Sequence, residues 1–193
     1  MIYKGLKIGV LAFHGDFAEH LLILKNLDVT ARMVKTSEDL SGVHGLIIPG
    51  GESTVMSKFL FDLTDTGRMI QKRVKEGTLS VYGTCAGAIL LARLITGKNA
   101  PKTLGLMDIA IERNAYGTQA QSFESSLKVQ GLRHPLHASF IRAPVITKVG
   151  KGVEVLAAYK GNPVLVRQGN LLAGTFHPEM RSETAIHELF LKF

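Results

Sequence analysis

Cys85, the one cysteine of this 193-residue chain, stands in Gly83-Thr84-Cys85-Ala86-Gly87, between the apolar run Leu79 to Tyr82 and a long apolar stretch from Ala88. A strand that turns sharply into a helix at such a residue lifts its side chain clear of the neighbours, and flanking glycines relieve the crowding of the bend. A sulfur at the start of a helix lies beside unpaired amides and the positive end of the helix dipole. Both favour thiolate and raise nucleophilicity at neutral pH. The same amides, that of Ala86 first, suit the oxygen of a tetrahedral intermediate. A lone cysteine is also a common buried filler, so the chemistry depends on partners elsewhere in the chain.

A thiolate nucleophile needs a proton shuttle, and histidine is the side chain suited to that work near neutral pH. Of seven histidines, His177 is the best placed. It follows the apolar strand Leu171 to Phe176 and is followed by Pro178 and Glu179. In an extended segment, residues two apart share a side, so Glu179 can orient the His177 ring and complete a Cys-His-Glu triad. A third feature, Pro49-Gly50-Gly51-Glu52-Ser53, lies at another strand end, where open α/β sheets place ligands, and its glycine pair frees backbone amides. Each feature alone has a bland reading as filler, surface pair or ordinary turn. Their conjunction discriminates. His134 and His137 lack the cysteines or carboxylates of a metal site, so no metal is expected.

The elements that must position these residues follow from periodicity. Apolar runs bounded by turns alternate with helical segments through the first half, the sign of βα repetition and a largely parallel sheet. Ile8 to Phe13 reads as a first strand, Phe17 to Asn26 as a helix, Val29 to Val34 as a strand, Ser37 to Leu40 as a helical turn, and Val43 to Ile48 as a buried strand. Leu60 to Glu76 is predicted helical with Gly77 as its C-cap, and Ala88 to Thr96 helical up to Gly97. The second half is different: Met107 to Arg113, Leu127 to Val129, Ala138 to Ile141, Val153 to Tyr159, Pro163 to Arg167 and Leu171 to Gly174 read as short strands, with antiparallel additions and loops. Ser182 to Phe193 is expected to close the chain as a helix, with Ser182 as N-cap. The expected fold is α/β in three layers, a mostly parallel central sheet flanked by helices, in a single domain over residues 1–193.

Composition narrows the function classes. The 46% hydrophobic content is ample for one core. No apolar run approaches the roughly 20 residues of a membrane span, and the N-terminus has no secretory pattern. With one cysteine there is no internal disulfide, so a cytoplasmic protein is expected. The formal charge of +7 invites nucleic acid. However, Lys58, Lys102, Lys128, Lys148 and Lys160 are scattered and no aromatics interleave with them, so a solvated surface or an acidic protein partner fits better.

The motif Gly83 to Gly87 together with His177-Pro178-Glu179 resembles the class I glutamine amidotransferase family. Within it, the chain is similar to the glutaminase subunits of pyridoxal 5'-phosphate synthases. That narrower resemblance rests on Gly9-Val10-Leu11-Ala12, Pro49 to Thr54, Glu112-Arg113-Asn114, Ser122-Phe123-Glu124 and Phe140-Ile141-Arg142-Ala143-Pro144, and so runs through nearly the whole chain. It implies hydrolysis of L-glutamine to glutamate and ammonia by Cys85, His177 and Glu179. Gly51 and Ala86 would form the oxyanion hole, and Gly51, Glu52, Ser53, Arg113, Ile141 and Arg142 the glutamine pocket. A free amino acid presents an ammonium and a carboxylate, which Glu52 and the arginines can answer. Which arginine does so is open, as is a structural salt bridge for each. The resemblance implies no cofactor on this chain, and ammonia delivered to a separate synthase subunit that completes the oxyanion hole at Gly50-Gly51. One departure concerns docking or activation: His14 stands where the family usually has Gln. Rival expectations are the glutaminase of another amidotransferase, such as that of imidazole glycerol phosphate synthesis, a thiol hydrolase of other substrates, or a non-catalytic module on the same fold.

Overall fold

The computed structural model describes residues 3–97, 99–113 and 122–193. Along the first half run β1 (Lys7–Leu11), α1 (Phe17–Asn26), β2 (Thr30–Val34), β3 (Gly45–Ile48), α2 (Ser53–Lys58), α3 (Thr66–Lys75), β4 (Ser80–Thr84) and α4 (Ala86–Leu91). The second half holds β5 (Ala92–Thr96), β6 (Met107–Glu112), β7 (Phe123–Leu127), β8 (Leu136–Phe140), β9 (Val145–Val149), β10 (Glu154–Tyr159), β11 (Asn162–Gln168), β12 (Leu171–Gly174) and α5 (Ala185–Phe190).

Seven strands form the central sheet in the order β10-β11-β12-β4-β3-β1-β2. The pairings β1-β2, β1-β3, β3-β4 and β4-β12 are parallel, while β10-β11 and β11-β12 are antiparallel. Because side chains alternate across a strand, the central strands feed two cores. Leu11, Leu46, Ile48, Val81, Leu171 and Ala173 join α2, α3, α4 and the small sheet β5-β6-β9 on one face. Ile8, Val10, Ile47, Tyr82 and Leu172 join α1, α5 and the hairpin β7-β8 on the other. The sheet lies between these layers, and the α/β class with antiparallel additions agrees with the sequence pattern. Gly9 is required where it is, since a Cβ there would come within 2.6 Å of the Val34 side chain.

α5 is anchored by Ile186 and Phe190, both fully buried on that second face. Burying side chains of this size is worth roughly 1.5–3 kcal/mol each. The anchoring carries His187, between them in sequence, into the interior.

Three sequence expectations need correction. The helix from Ala88 was expected to reach Thr96, yet α4 ends at Leu91 and Ala92 turns extended (φ −63, ψ 143) to begin β5. An apolar run without polar punctuation suits a buried helix and a strand equally, and pairing with β6 decides for the strand. The single helix expected over Leu60 to Glu76 is a wider turn at Phe59–Leu63 followed by α3. Between them Thr64 donates its hydroxyl to Phe59 O at 2.6 Å, closing the first segment. Ser182 is no N-cap: it is left-handed (φ 52) at the end of the short turn Glu179–Arg181, and α5 starts only at Ala185. β9 had no counterpart in the periodicity. Asn114 lies outside the described residues.

Candidate active site

Cys85 sits where β4 meets α4, with φ 47 and ψ −100, a conformation that L-residues avoid. Two contacts enforce it. Its amide donates to Gly174 O of the neighbouring β12 at 2.8 Å, and the turn packs so tightly that a Cβ on Gly83 would run into the Gly87 backbone and one on Gly87 into the Ile48 carbonyl. The glycines thus do what the sequence demanded of them. Cys85 is 8% exposed, and its Sγ lies 4.0 Å from Ile141 O. The Cys85 side chain makes no capping bond to α4. With only six residues, α4 offers the sulfur unpaired first-turn amides more than a dipole.

His177 arrives from β12 by a different route from the expected one. Pro178 is helical (φ −68, ψ −29) and Glu179 opens a 3-10 turn, so the segment is not extended. The tight turn nonetheless brings Glu179 Oε1 to 2.6 Å from His177 Nδ1. The His177 amide donates to Ser139 O of β8 at 2.8 Å. The β7-β8 hairpin therefore holds the imidazole backbone and also delivers Ile141 and Arg142, which follow β8, to the same cavity.

A residue that sequence reasoning missed, Asp16, places Oδ2 at 3.4 Å from the same Nδ1. Burial alone would disfavour a charged His177. Hydrogen bonds with Asp16, Cys85 and Glu179, and the charge of Cys85, overcome that and push its pKa up to about 12. Asp16 is held below the carboxylate range chiefly by its hydrogen bond to His177, against partial burial. Burial pushes Glu179 up despite His177. The arrangement is an imidazolium flanked by a thiol-bearing turn and two carboxyl groups. Its signal in sequence was slight: an acidic residue just after a glycine, one turn beyond the first strand.

Asp16, His177 and Glu179 also place three ligand atoms within 4.8 Å of one another. The nitrogen they would offer a metal is the proton-bearing Nδ1 of the ion pair, so the geometry serves proton chemistry better than coordination.

The cavity in front of Cys85 measures about 390 Å³. Gly51, Glu52, Ser53 and Ala86 line it, as do Arg113, Ile141 and Arg142; Glu179 stands behind His177. Gly51 has φ 141, open only to glycine. A Cβ on Gly50 would overlap the His177 ring, and one on Gly15 would overlap the Gly50 carbonyl. His14, on the rim, accepts a long hydrogen bond from the Glu52 amide at 3.4 Å.

Glu52 has a local task that spacing did not reveal. Its carboxylate caps α2, accepting from Thr54 N at 3.0 Å and Val55 N at 2.7 Å, and it lies 3.6 Å from Arg113 Nη2. Partial burial opposes its charge, but these amides and Arg113 bring its pKa below the usual value. Arg113 also donates to Asn99 O at 3.1 Å. Arg142, exposed at the cavity mouth with φ 43, is the second strained non-glycine residue at the cavity. Strain of this kind gathers where side chains must be aimed.

Comparison with known proteins identifies the family. Residues 10–193 match the model of the SNO glutamine amidotransferase family. A pyridoxal 5'-phosphate synthase subunit PdxT of Thermus thermophilus is 50% identical over 185 residues, 96% of each chain. That of Pseudothermotoga lettingae is 51% identical over 187 residues, 97% of this chain and 95% of its own. A crystal structure of a glutamine amidotransferase superposes with a TM-score of 0.91 at 48% identity, covering 96% of this chain and 97% of the other. A chain of PurLQS from Thermotoga maritima, at 15% identity and TM-score 0.75 over 97% of this chain and 98% of its own, shares the fold. On the family match and these relatives, the chain belongs to the SNO glutamine amidotransferase family.

Proposed function

We propose that this chain is the glutaminase subunit of a pyridoxal 5'-phosphate synthase, hydrolysing L-glutamine to glutamate and ammonia for a separate synthase subunit. The observation that carries the reading is the strained Cys85 at the head of α4, coupled to an imidazolium held by Glu179.

The thiolate of Cys85 adds to the side-chain amide carbon of glutamine. The resulting oxyanion is bound by the Ala86 amide and, in this proposal, by that of Gly51. His177 gives its proton to the nitrogen as the C–N bond breaks, so ammonia leaves and a γ-glutamyl thioester remains. Acylation removes the charge of Cys85, one of the forces that keep His177 protonated. The ring, left neutral, can then take a proton from water, whose oxygen attacks the thioester to release glutamate and regenerate the thiolate. Glu179 fixes the tautomer throughout. Arg113 and Arg142 offer guanidinium groups to the α-carboxylate, and Glu52 a carboxylate to the α-ammonium. The wide φ of Gly51 leaves the adjacent peptide free to adjust when the synthase docks and completes the oxyanion hole.

The test is glutamine hydrolysis with and without the synthase subunit. Wild-type chain with the synthase releases glutamate and ammonia in equal amounts and is slow alone, and Cys85→Ala lowers turnover by at least ~10³-fold with unchanged circular dichroism. Unchanged turnover in Cys85→Ala refutes the mechanism. Full activity without the synthase refutes the activation step.

A further inference from the structure

Behind the triad, on the face of the sheet covered by α1 and α5, lies a set of buried polar groups. His20, His187, Thr84, Tyr82 and Glu179 are each 3% exposed or less. Glu179 spends Oε1 on His177. Its other oxygen, Oε2, is buried with no hydrogen-bond partner among the described residues. Facing it is the ring of His20, with Nε2 at 3.7 Å from Oε2 and 3.3 Å from Oγ1 of Thr84, the residue before the nucleophile. On the far side, His20 Nδ1 and His187 Nε2 are 2.8 Å apart. Tyr82 stands edge-on to both rings, with Oη unpartnered among the described residues.

We propose that His20 is a positioning residue of the catalytic unit, holding Glu179 from behind, with His187 fixing the tautomer in which it can do so. The inference rests on the glutaminase reading above.

Burial, and for His20 also the neighbouring His187 and His177, lowers both pKa values, that of His187 to about 4 against an opposing hydrogen bond to the Glu183 backbone. Both rings are therefore neutral at pH 7, and each has one N–H to place. A proton on His20 Nδ1 would leave the Nε2 lone pair facing a carboxylate. A proton on Nε2 instead points at Thr84 Oγ1 and Glu179 Oε2. That choice leaves His20 Nδ1 as an acceptor, which the 2.8 Å contact satisfies only if His187 carries its proton on Nε2. One arrangement of two protons thus answers three contacts, at the cost of a His187 Nδ1 with no hydrogen-bond partner among the described residues. The opposite arrangement, with His187 Nδ1–H turned to the Glu183 backbone, leaves Glu179 Oε2 without a donor.

Its value is greatest when His177 has given up its proton. Glu179 then loses its counter-charge while buried, a costly state, and the His20 N–H dipole is the group beside Oε2. No proton need travel along the chain. The groups facing His20 are Thr84, Glu179, His187 and Tyr82, with His177 beyond Glu179 and Asp16 at the head of its own helix.

The experiment uses the complex with the synthase subunit. Nitrogen NMR of protein labelled in its histidine rings is expected to show both His20 and His187 as neutral Nε2–H tautomers at pH 7; an Nδ1–H tautomer at His20 overturns the proposal. In kinetics, His20→Leu is expected to lower kcat roughly 10- to 100-fold at unchanged KM for glutamine. His20→Gln, whose amide reaches the Nε2 position, recovers most of that loss, and His20→Asn, which reaches only Nδ1, does not. Equal kcat in His20→Leu and wild type, or equal losses in the Leu and Gln variants, also overturns it. A wild-type complex that releases no glutamate refutes the proposed function instead, and the tautomers alone then decide. They decide likewise if the variants fail to fold.

Discussion

Two neighbouring strands of the sheet end in the same way and use the ending differently. β3 runs through Gly50-Gly51 into α2, and β4 runs through Cys85 into α4; both helices are six residues long. At α2 the residue before the helix, Glu52, turns its own carboxylate onto the first amides. At α4 the corresponding residue is Cys85, whose side chain makes no bond to those amides. One turn satisfies itself, whereas the other is left open for a charge that exists only during the reaction. The second is also the more rigid: it is buried and wedged against Ile48, whereas Gly51 is exposed. The comparison teaches that fixed donors belong beside the nucleophile, and adjustable backbone on the side where glutamine and the synthase approach.

Substitution should break the two turns in different ways. The largest effect is expected for Gly87→Ala, where the new methyl meets the Ile48 carbonyl. Overpacking against backbone costs about 3 kcal/mol, a fall in Tm of roughly 6–12 °C by calorimetry. A Tm within about 1 °C of wild type would show that the nucleophile turn is not wedged. At the other turn Glu52→Ala removes a cap worth about 1 kcal/mol, or roughly 2–4 °C. Glu52→Gln keeps one acceptor oxygen for the two amides, so it should lose less Tm than Glu52→Ala, yet raise KM for glutamine if the charge meets the ammonium. Equal Tm losses in both variants would assign the whole effect to the pairing with Arg113. Since folding lowers the Glu52 pKa, its stabilisation is full above the ordinary 4.5 and is lost as pH falls through the lower folded value.

The smallest effect on stability is expected from Asp16→Asn, which leaves the turns intact and weakens the hold on the His177 proton. Folding raises the His177 pKa from 6.5 to about 12, so stability linked to its protonation is full below pH 6.5 and is lost as pH climbs through 12. In Asp16→Asn the alkaline limb of the rate of acylation, followed by ammonia release, should move toward neutral pH. An unmoved limb would leave Glu179 and Cys85 as sufficient.

The sequence made most of this geometry legible where chemistry and glycine coincide. Cys85, His177 and Glu179 stand in short motifs whose residue types have few other joint uses, and the alternation of apolar strands with helices predicted the parallel centre of the sheet. It failed where a decision was tertiary. Nothing local separates Leu91 from Ala92, and the strand there exists because β6 lies beside it. The role of Glu52 as a cap was visible in principle, as an acidic residue just before Ser53-Thr54, but the motif drew attention to substrate first. His20 and His187 were invisible as a pair. Each is one histidine on the apolar face of a helix, and 167 positions separate them.

The wedge of Gly87 against Ile48 has a consequence for how such a site can change over generations. The nucleophile turn and the end of β3 meet backbone to backbone and form one mechanical part, so neither can drift without the other. Latitude lies instead at the sheet edge formed by β10, on the far side of β11 and β12 from the nucleophile. Variation in partner, thermal range or surface charge can accumulate there while the nucleophile turn and the end of β3 stay as they are.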